Sequence, residues 1–365
     1  MKIFSLINFN ANLSGNSLPL TLFYYHANLL NMHSGRNYTI LEFLYWTRRR
    51  IYVLVLLAIL PTVLYATTGC TWILLPWPPI VLIGTATAFI AGFRNNATYG
   101  RAWEARQIWG RIVNSSRAFG IMAIDFIRHP QENTLKEIHQ RIVYRHLAWI
   151  TALRHQLREK RQWENSRICP EYIEYQKLYS VPEWSSSMVE DLKEFLPEEE
   201  WESVKSKKNI ATQIMALQSA DLRQLAEQGM ITELKYLELQ QLLKELYDHQ
   251  GGSERIKNFP YPRQYSSLSR FFIAILIVLI PLGMLNEFAK LGSYFIWLNI
   301  PFSILVSWVF ITLDVVGEST ENPFEGAAND VPISTISRVI EIDLKEMLGV
   351  EKIPAARVPN NFIQM

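Results

Sequence analysis

The stretch IYVLVLLAILPTVLYATTGCTWILLPWPPIVLIGTATAFIAGF, residues 51–93, decides the fold because its forty-three residues include no Asp, Glu, Lys, Arg or His. A membrane helix needs about 20 apolar residues to cross a hydrocarbon core of roughly 30 Å. The stretch is therefore too long for one span and suits two, with a turn at residues 66–70. We expect a membrane hairpin with spans at residues 51–66 and 76–93.

The residues just before this hairpin indicate its orientation. Arg48, Arg49 and Arg50 immediately precede the first apolar residue. Basic residues next to a span mark the cytoplasmic side, and interfacial aromatic residues such as Trp46 and Tyr52 mark the membrane border. We therefore expect both ends of the hairpin to face the cytoplasm.

A second apolar block covers residues 271–313. The polar residues 286–290 and Gly292 interrupt it, which predicts a turn between spans at residues 271–285 and 291–313. Four spans place both termini on one side of the membrane, and the arginines predict that this side is the cytoplasm. We expect a multi-pass cell-membrane protein.

The charged segments outside the two hairpins show the apolar spacing of amphipathic helices, for example at residues 102–119, 141–158 and 210–247. Gly251-Gly252 is expected to end the last of these helices, and residues 164–208 are the least regular part. The predicted organisation is a cytoplasmic segment at residues 1–46, a hairpin at 47–93, a cytoplasmic helical region at 94–269, a second hairpin at 270–313 and a cytoplasmic segment at 314–365.

Several function classes find no support in the composition. A net charge of +2 lacks the basic excess of a nucleic-acid binder. The sequence carries no nucleotide-binding, zinc-protease or hydrolase motif, and its seven histidines do not have metal-ligand spacing. Cys70 and Cys169 predict neither a disulfide framework nor a metal site. We expect no enzyme activity, no cofactor and no nucleic-acid partner.

One stripe on the second span has two interpretations. Thr85, Phe89 and Phe93 recur at i, i+4 and i+8 and so share a helical face. The pattern alone favours packing against lipid or neighbouring helices. The alternative is a hydrophobic constriction in a pore. That alternative requires an oligomer around an axis, because four helices of one chain do not enclose a wide pore.

The two ends of this span are also candidate sites. Pro78 and Pro79 suit the first turn of a helix whose dipole would attract anions from outside, although they are equally expected as simple helix starters. At the cytoplasmic border, Arg94 and Arg101 are expected to form ion pairs with acidic residues below the fourth span, Asp314 and Glu318 among them. An electrostatic funnel for ions is the second interpretation of these charges.

Three ordered motifs resemble those of the bestrophins and their bacterial homologues. GFRNNATYGRAWEARQIWG at residues 92–110 resembles the family signature that follows the second membrane helix. GSERI at 252–256, followed by Pro260 and Pro262, resembles the segment before the third span. GESTENPF at 317–324 and NDVP at 329–332 resemble the motif after the fourth span. The resemblance covers roughly residues 40–350.

This resemblance implies an all-α membrane protein whose four spans continue into a large helical cytoplasmic region and assemble as a homopentamer around a central pore. It implies conduction of small monovalent ions, generally anions, across a bacterial inner membrane. The family's hydrophobic neck falls on Thr85, Phe89 and Phe93, and the threonine implies a wider or wetter outer end. The family's cytosolic constriction falls on Leu237, or on Leu234 if the alignment shifts by a turn.

Two departures from the family pattern qualify these expectations. Animal members bind calcium through an acidic run after Asn-Pro-Phe, whereas residues 325–330 here read EGAAND, which offers too few carboxylates for a calcium site. The neck has no charged ring to select the sign of the ion, so a cation channel of the same fold stays open. A membrane-anchored scaffold or sensor is the alternative from another class. The partners expected for the channel are its own copies, the lipid bilayer and small ions.

Overall fold

The computed structural model describes residues 40–165 and 169–358, together with Ile363 and Met365. This part of the chain is all-helical, and four of its helices are long and apolar enough to span a membrane. The expected segment at residues 1–46 lies outside the described residues as far as residue 39. Its boundary with the first hairpin falls inside a helix, because α1 already begins at Ile40.

The membrane helices are α1 (Ile40–Thr68), the first part of α2 (Trp77–Phe126), α10 (Arg263–Leu291) and α11 (Asn299–Ser319). They pack on one another, with α10 and α11 against α2 on one side and against α1 on the other. Gly283 allows α10 to approach α2 closely, because a Cβ at this glycine would lie 2.3 Å from Ile80 Cδ1.

The length of α2 is the principal difference from the sequence prediction. We expected the second span to end at Phe93, but the helix runs without interruption over 50 residues. The expected border between membrane and cytoplasmic parts at residues 93 and 94 falls within it and stays a prediction. The charged run that begins at Arg94 contains no proline, and its glycines are isolated within a helical pattern. Polarity changes along this helix while its backbone hydrogen bonding continues. One rigid element therefore crosses from the membrane into the cytoplasmic region.

Two predicted helix ends are wrong. Residues 286–290 are helical rather than a turn, since α10 continues to Leu291 and ends where Gly292 adopts a φ of +125°. Gly251-Gly252 lies within α9 (Glu233–Asn258) and does not end it. Gly252 lies at a close helix contact instead, because a Cβ there would lie 3.1 Å from Ile108 Cδ1 of α2 and would displace that methyl group. Gly252 therefore marks a close contact between two helices, and residues 286–290 are a polar stretch of α10 rather than its end.

The cytoplasmic region packs against the lower half of α2 and leaves one face of that helix exposed. Its long helices are α3 (Glu132–Arg158), α8 (Ile210–Glu227), α9 and α12 (Ile333–Met347). The irregular segment contains the short helices α4 (Pro170–Tyr175), α5 (Pro182–Ser185), α6 (Met188–Leu192) and α7 (Glu198–Val204). The main apolar core includes the buried Trp109, Phe119 and Trp149.

The contact between α2 and α12 is especially tight. A Cβ at Gly120 would lie 2.4 Å from Leu344 Cδ2, so only glycine fits without displacing the leucine. On the other flank of α2, Arg128 N donates to Met230 O at 2.9 Å, just before α9 begins. The end of α2 is thus held by elements on two sides.

Candidate pore-lining surface

The face of α2 that carries Thr85, Phe89 and Phe93 is not covered by the rest of the described chain. Phe89 is 65% exposed and Phe93 is 72% exposed. Their rings stack with centroids 6.5 Å apart and 26° between their planes. Large aromatic side chains are rarely left exposed as a contiguous surface unless something else covers or uses it.

The opposite face of the same turns fixes how α2 is rotated. Gly84, Thr87 and Ala91 are buried against the neighbouring spans. Because this buried face packs on α10 and α11, the aromatic face must point away from the chain's own helices. Thr85 shares the exposed face, and its hydroxyl donates to Val81 O at 2.9 Å. That hydroxyl hydrogen is therefore used within the helix.

The exposed face continues past the membrane part of α2. At intervals of about one turn, it carries the exposed, uncharged residues Asn96, Gly100, Trp103 and Gln107. Lipid can cover an exposed face only within the bilayer. A stripe that stays exposed along the cytoplasmic half of the helix requires either water or other protein copies as its neighbour.

Directly after the aromatic stripe, Arg94 points into the protein. Its guanidinium is buried and binds two carboxylates of the fourth span and the loop after it: Nη1 donates to Asp314 Oδ1, and Nη2 donates to Glu321 Oε2 at 2.7 Å. A buried charge pair of this kind is costly to break, because the remaining charge stays in a low-dielectric site. The pair fixes α2 against α11 one residue from Phe93.

Glu318 has different partners from Arg94. It accepts from Arg50 Nη2 of α1 and pairs with Arg270 Nη2 of α10, each at 2.9 Å. One buried carboxylate on α11 thereby connects three membrane helices at their cytoplasmic ends. We expected Glu318 to form ion pairs at the cytoplasmic border of the membrane. For Arg50, we expected only that it marks the cytoplasmic side.

Arg101 was expected to form an ion pair, but its hydrogen bonds lead elsewhere. Its guanidinium donates to three backbone carbonyls, Glu321 O at 3.2 Å, Ile256 O at 3.2 Å and Phe259 O at 2.8 Å. These carbonyls belong to the end of α9 and the loop after α11, where helix ends leave acceptors free. Arg101 therefore joins three chain segments below the membrane.

The start of α2 offers fewer hydrogen-bond donors than expected. Pro76 is the N-cap, and Pro78 and Pro79 lie in the exposed first turn. Proline has no N–H, so Trp77 alone supplies a free N–H among these four positions. The helix dipole still points toward this end. Any attraction for anions here depends on that dipole and one donor rather than on a ring of N–H groups.

Leu234 and Leu237 lie at the opposite end of α2 from the membrane. They belong to the first turns of α9 and are 70% and 56% exposed. Lys235 Nζ lies 5.1 Å from the ring centroid of Phe126, which places this turn beside the last residue of α2. At 1.5 Å per residue, Phe126 is about 50 Å along the helix from Phe93. Two exposed apolar sites thus lie at well-separated levels.

The loop after α11 is closed by Asp330 of the NDVP motif and by two basic residues that the sequence does not mark. Asp330 accepts from the N–H groups of Phe324 and Gly326, both at 2.8 Å, and from Arg158 Nη1. Lys257 Nζ donates to Phe324 O at 3.3 Å and to Glu164. The positive charges next to this loop are therefore the side chains of Arg158 and Lys257. No sequence motif marks Arg158 or Lys257, because they are brought to the loop only by the packing of α3 and α9.

Comparison with known proteins agrees with this architecture. The family described as "Bacterial/Fungal Bestrophin protein" matches residues 43–346. The voltage-dependent anion channel-forming protein YneE of Salmonella typhi is 26% identical over 303 residues, which is 80% of this chain and 87% of that protein. A voltage-dependent anion channel-forming protein of Ralstonia nicotianae is 27% identical over 271 residues, which is 74% of this chain and 77% of that protein.

Solved structures show the same fold. The crystal structure of a bacterial bestrophin homologue from Klebsiella pneumoniae superposes with a TM-score of 0.68 at 26% identity, covering 83% of this chain and 99% of that one. A variant of that homologue gives a TM-score of 0.67 at 26% identity, covering 82% and 98%. The similarity therefore includes both the membrane helices and the cytoplasmic region.

Proposed function

Because this chain belongs to the bacterial and fungal bestrophin family, we propose that it forms a homopentameric channel for small monovalent ions, chiefly chloride and other anions. Thr85, Phe89 and Phe93 form its neck, and Leu237, with Leu234 one turn away, forms its cytosolic constriction. The channel lies in the bacterial inner membrane with both termini in the cytoplasm, on the side of Arg48, Arg49 and Arg50. It transports ions without a chemical step and needs no cofactor.

The observation that carries this proposal is the continuous uncovered face of α2. Its membrane part is aromatic, its cytoplasmic part is polar and carries the exposed Arg111, and its other face is fixed against the chain's own helices. Five copies arranged around an axis would turn this face toward a shared lumen. A ring of phenylalanines there would form a narrow apolar constriction, which controls ion flow through dewetting.

Two observations support a preference for anions. The curated relatives are named anion channel-forming proteins. In this chain, the positive end of the α2 dipole lies at Trp77, at the outer end of the pore-lining helix.

A cation channel is the second candidate, and one observation favours it. The Thr85 hydroxyl donates its hydrogen to Val81 O, so only oxygen lone pairs remain toward the exposed face. Lone pairs stabilise a passing cation rather than an anion.

Two measurements test the proposal together. Native mass spectrometry of the purified protein should give five times the 42.4 kDa chain mass. Reversal potentials in planar bilayers under asymmetric NaCl should shift toward the chloride equilibrium potential. A shift toward the sodium potential would replace the anion channel with the cation channel. A monomer without ion flux would favour a membrane-anchored scaffold and refute both channels.

A further inference from the structure

A cavity of about 500 Å³ lies in the cytoplasmic region, between α3, α12 and the segment with the short helices α5 and α6. Its volume is within the range of about 300–1,000 Å³ that is usual for small-ligand sites. Ser334, Ser337, Arg338 and Glu341 line it from one face of α12. It is separate from the exposed face of α2, whose residues do not line it.

The carboxylates that line this cavity already have partners. Glu190 accepts from Ser187 N at 3.2 Å, and Asp191 accepts from Arg154 Nη2 at 2.7 Å. Glu194 and Glu341 both accept from Lys345, and Glu341 also pairs with Arg338 at 2.9 Å. Asp191, Glu194 and Glu341 are therefore paired with basic side chains, whereas Glu190 is hydrogen-bonded to Ser187 at the start of its own helix.

Three arginines line the cavity, and among them Arg154 and Arg338 are in ion pairs, whereas Arg357 is in none with another described residue. This residue lies on the segment after α12 and lines the cavity. Its Nε is buried and has no hydrogen-bond partner among the described residues. Within that part of the chain no ion pair includes Arg357, and residues 1–39, 166–168, 359–362 and 364 contain no Asp or Glu. No acidic side chain is therefore within ion-pair distance of this guanidinium, and Glu183 and Asp191 act on it only from farther away.

The electrostatics of Arg357 favour the binding of an anion. Burial lowers the pKa of its guanidinium below the usual value, and the like charges of Arg154 and Arg338 lower it further. A bound anion would relieve both effects. Guanidinium groups bind carboxylate and phosphate oxygens with two parallel hydrogen bonds, which suits a site with three arginines on its wall.

We propose that this cavity binds a small oxyanion, a carboxylate or a phosphate group, between Arg357 and Arg338. The ligand is a soluble compound of the cytoplasm rather than the permeating ion, because the cavity lies apart from the pore-lining face. Its α12 wall also packs on α2 through Leu344 and Gly120. A ligand bound in the cavity would therefore contact α12, which packs directly on the proposed pore helix α2.

Isothermal titration of the purified full chain in detergent tests this site, at ionic strength held constant with NaCl. The probes are inorganic phosphate and succinate, which separate a tetrahedral from a carboxylate ligand. Arg357→Gln should weaken binding roughly tenfold or more, since charge-assisted hydrogen bonds are lost. Arg357→Lys keeps the charge and should retain part of the affinity. Arg223→Gln makes the same charge change at an exposed position of α8 and should bind like the wild type.

The proposal is overturned if neither anion produces binding heat at millimolar concentration, or if Arg357→Gln binds as tightly as the wild type. Equal weakening by Arg223→Gln would also overturn it, because the effect would then reflect net charge. The elution volume and melting temperature of each variant without ligand confirm that it is folded. Binding heat requires no ion flux, so the result is independent of channel activity.

Discussion

Phe89 and Phe93 stack one helical turn apart on the face of α2 that the chain leaves uncovered, with their ring centroids separated by 6.5 Å. The next residue, Arg94, points the other way and is buried between Asp314 and Glu321. A single turn thus joins an exposed apolar surface to a buried ionic anchor. The anchor holds the rotation of α2, and the rotation determines where the aromatic surface faces.

This arrangement predicts that Arg94→Gln strongly destabilises the protein. The change leaves two carboxylates buried without their guanidinium, and breaking such a pair costs about 3–5 kcal/mol. We expect a clear fall in melting temperature, measured by intrinsic fluorescence in detergent. Arg223→Gln on the exposed face of α8 is the matched control and should change stability by less than about 0.5 kcal/mol.

Adding Asp314→Asn to Arg94→Gln should restore part of the lost stability, because it removes one of the uncompensated charges. A melting temperature for Arg94→Gln equal to that of the wild type would show that the ionic anchor does not hold α2.

The close contact of α2 with α12 predicts a large effect from one methyl group. Gly120→Ala would bring a Cβ to 2.4 Å from Leu344 Cδ2, which forces a rearrangement that we expect to cost about 1–3 kcal/mol. Gly251→Ala in α9 is the control, since nothing lies within 4 Å of its added Cβ. Helix propensity should make that control neutral or slightly stabilising. Equal melting temperatures for both variants would contradict the packing described for Gly120.

His146 predicts a specific pH dependence of stability. Its ring lies between Phe119 and Trp149, with centroids at 4.9 and 5.2 Å, and burial lowers its pKa to about 3. An unfolded histidine has a pKa near 6.5, so between pH 6.5 and 3 the unfolded state binds the extra proton and acid favours unfolding. This group adds a loss of up to about 1.4 kcal/mol per pH unit below pH 6.5 and nothing above it.

The measurement compares the wild type with His146→Leu in urea unfolding at pH 7.5, 6.5 and 5.5 (values chosen to bracket about 6.5, the pKa of an unfolded histidine). The wild type should lose about 1 kcal/mol more than the variant between the two lower values. Parallel pH profiles for the two proteins would show that His146 is not buried in its neutral form.

Much of the membrane architecture follows from the sequence, because few structures can accommodate a long stretch without charged residues. Both hairpins were predicted from that signal, and the family resemblance supplied the pentamer as an expectation. The helical face of Thr85, Phe89 and Phe93 also follows from spacing alone. Its exposure does not, since packing and pore lining share the same period.

Other features depend on contacts between distant segments and have no local signal. The continuity of α2 through Arg94 is an example, because a change in polarity resembles a boundary whether or not the helix stops. Arg101 looked like an ion-pair partner, but only the fold brings three carbonyls within its reach. Likewise, no sequence motif marks Arg357. That it has no ion pair among the described residues is evident only once the partners of the neighbouring carboxylates are known.

The most direct test of the account is the chemical accessibility of Phe93 during conduction. In a Cys70→Ser/Cys169→Ser background, Phe93→Cys should react with an anionic methanethiosulfonate reagent, and the attached charge should block flux through the neck. Leu305→Cys, at an exposed position of the membrane helix α11, is the control and should keep its flux after the same treatment. Full modification of Phe93→Cys, verified by mass spectrometry, with undiminished flux would contradict a pore lined by this face of α2.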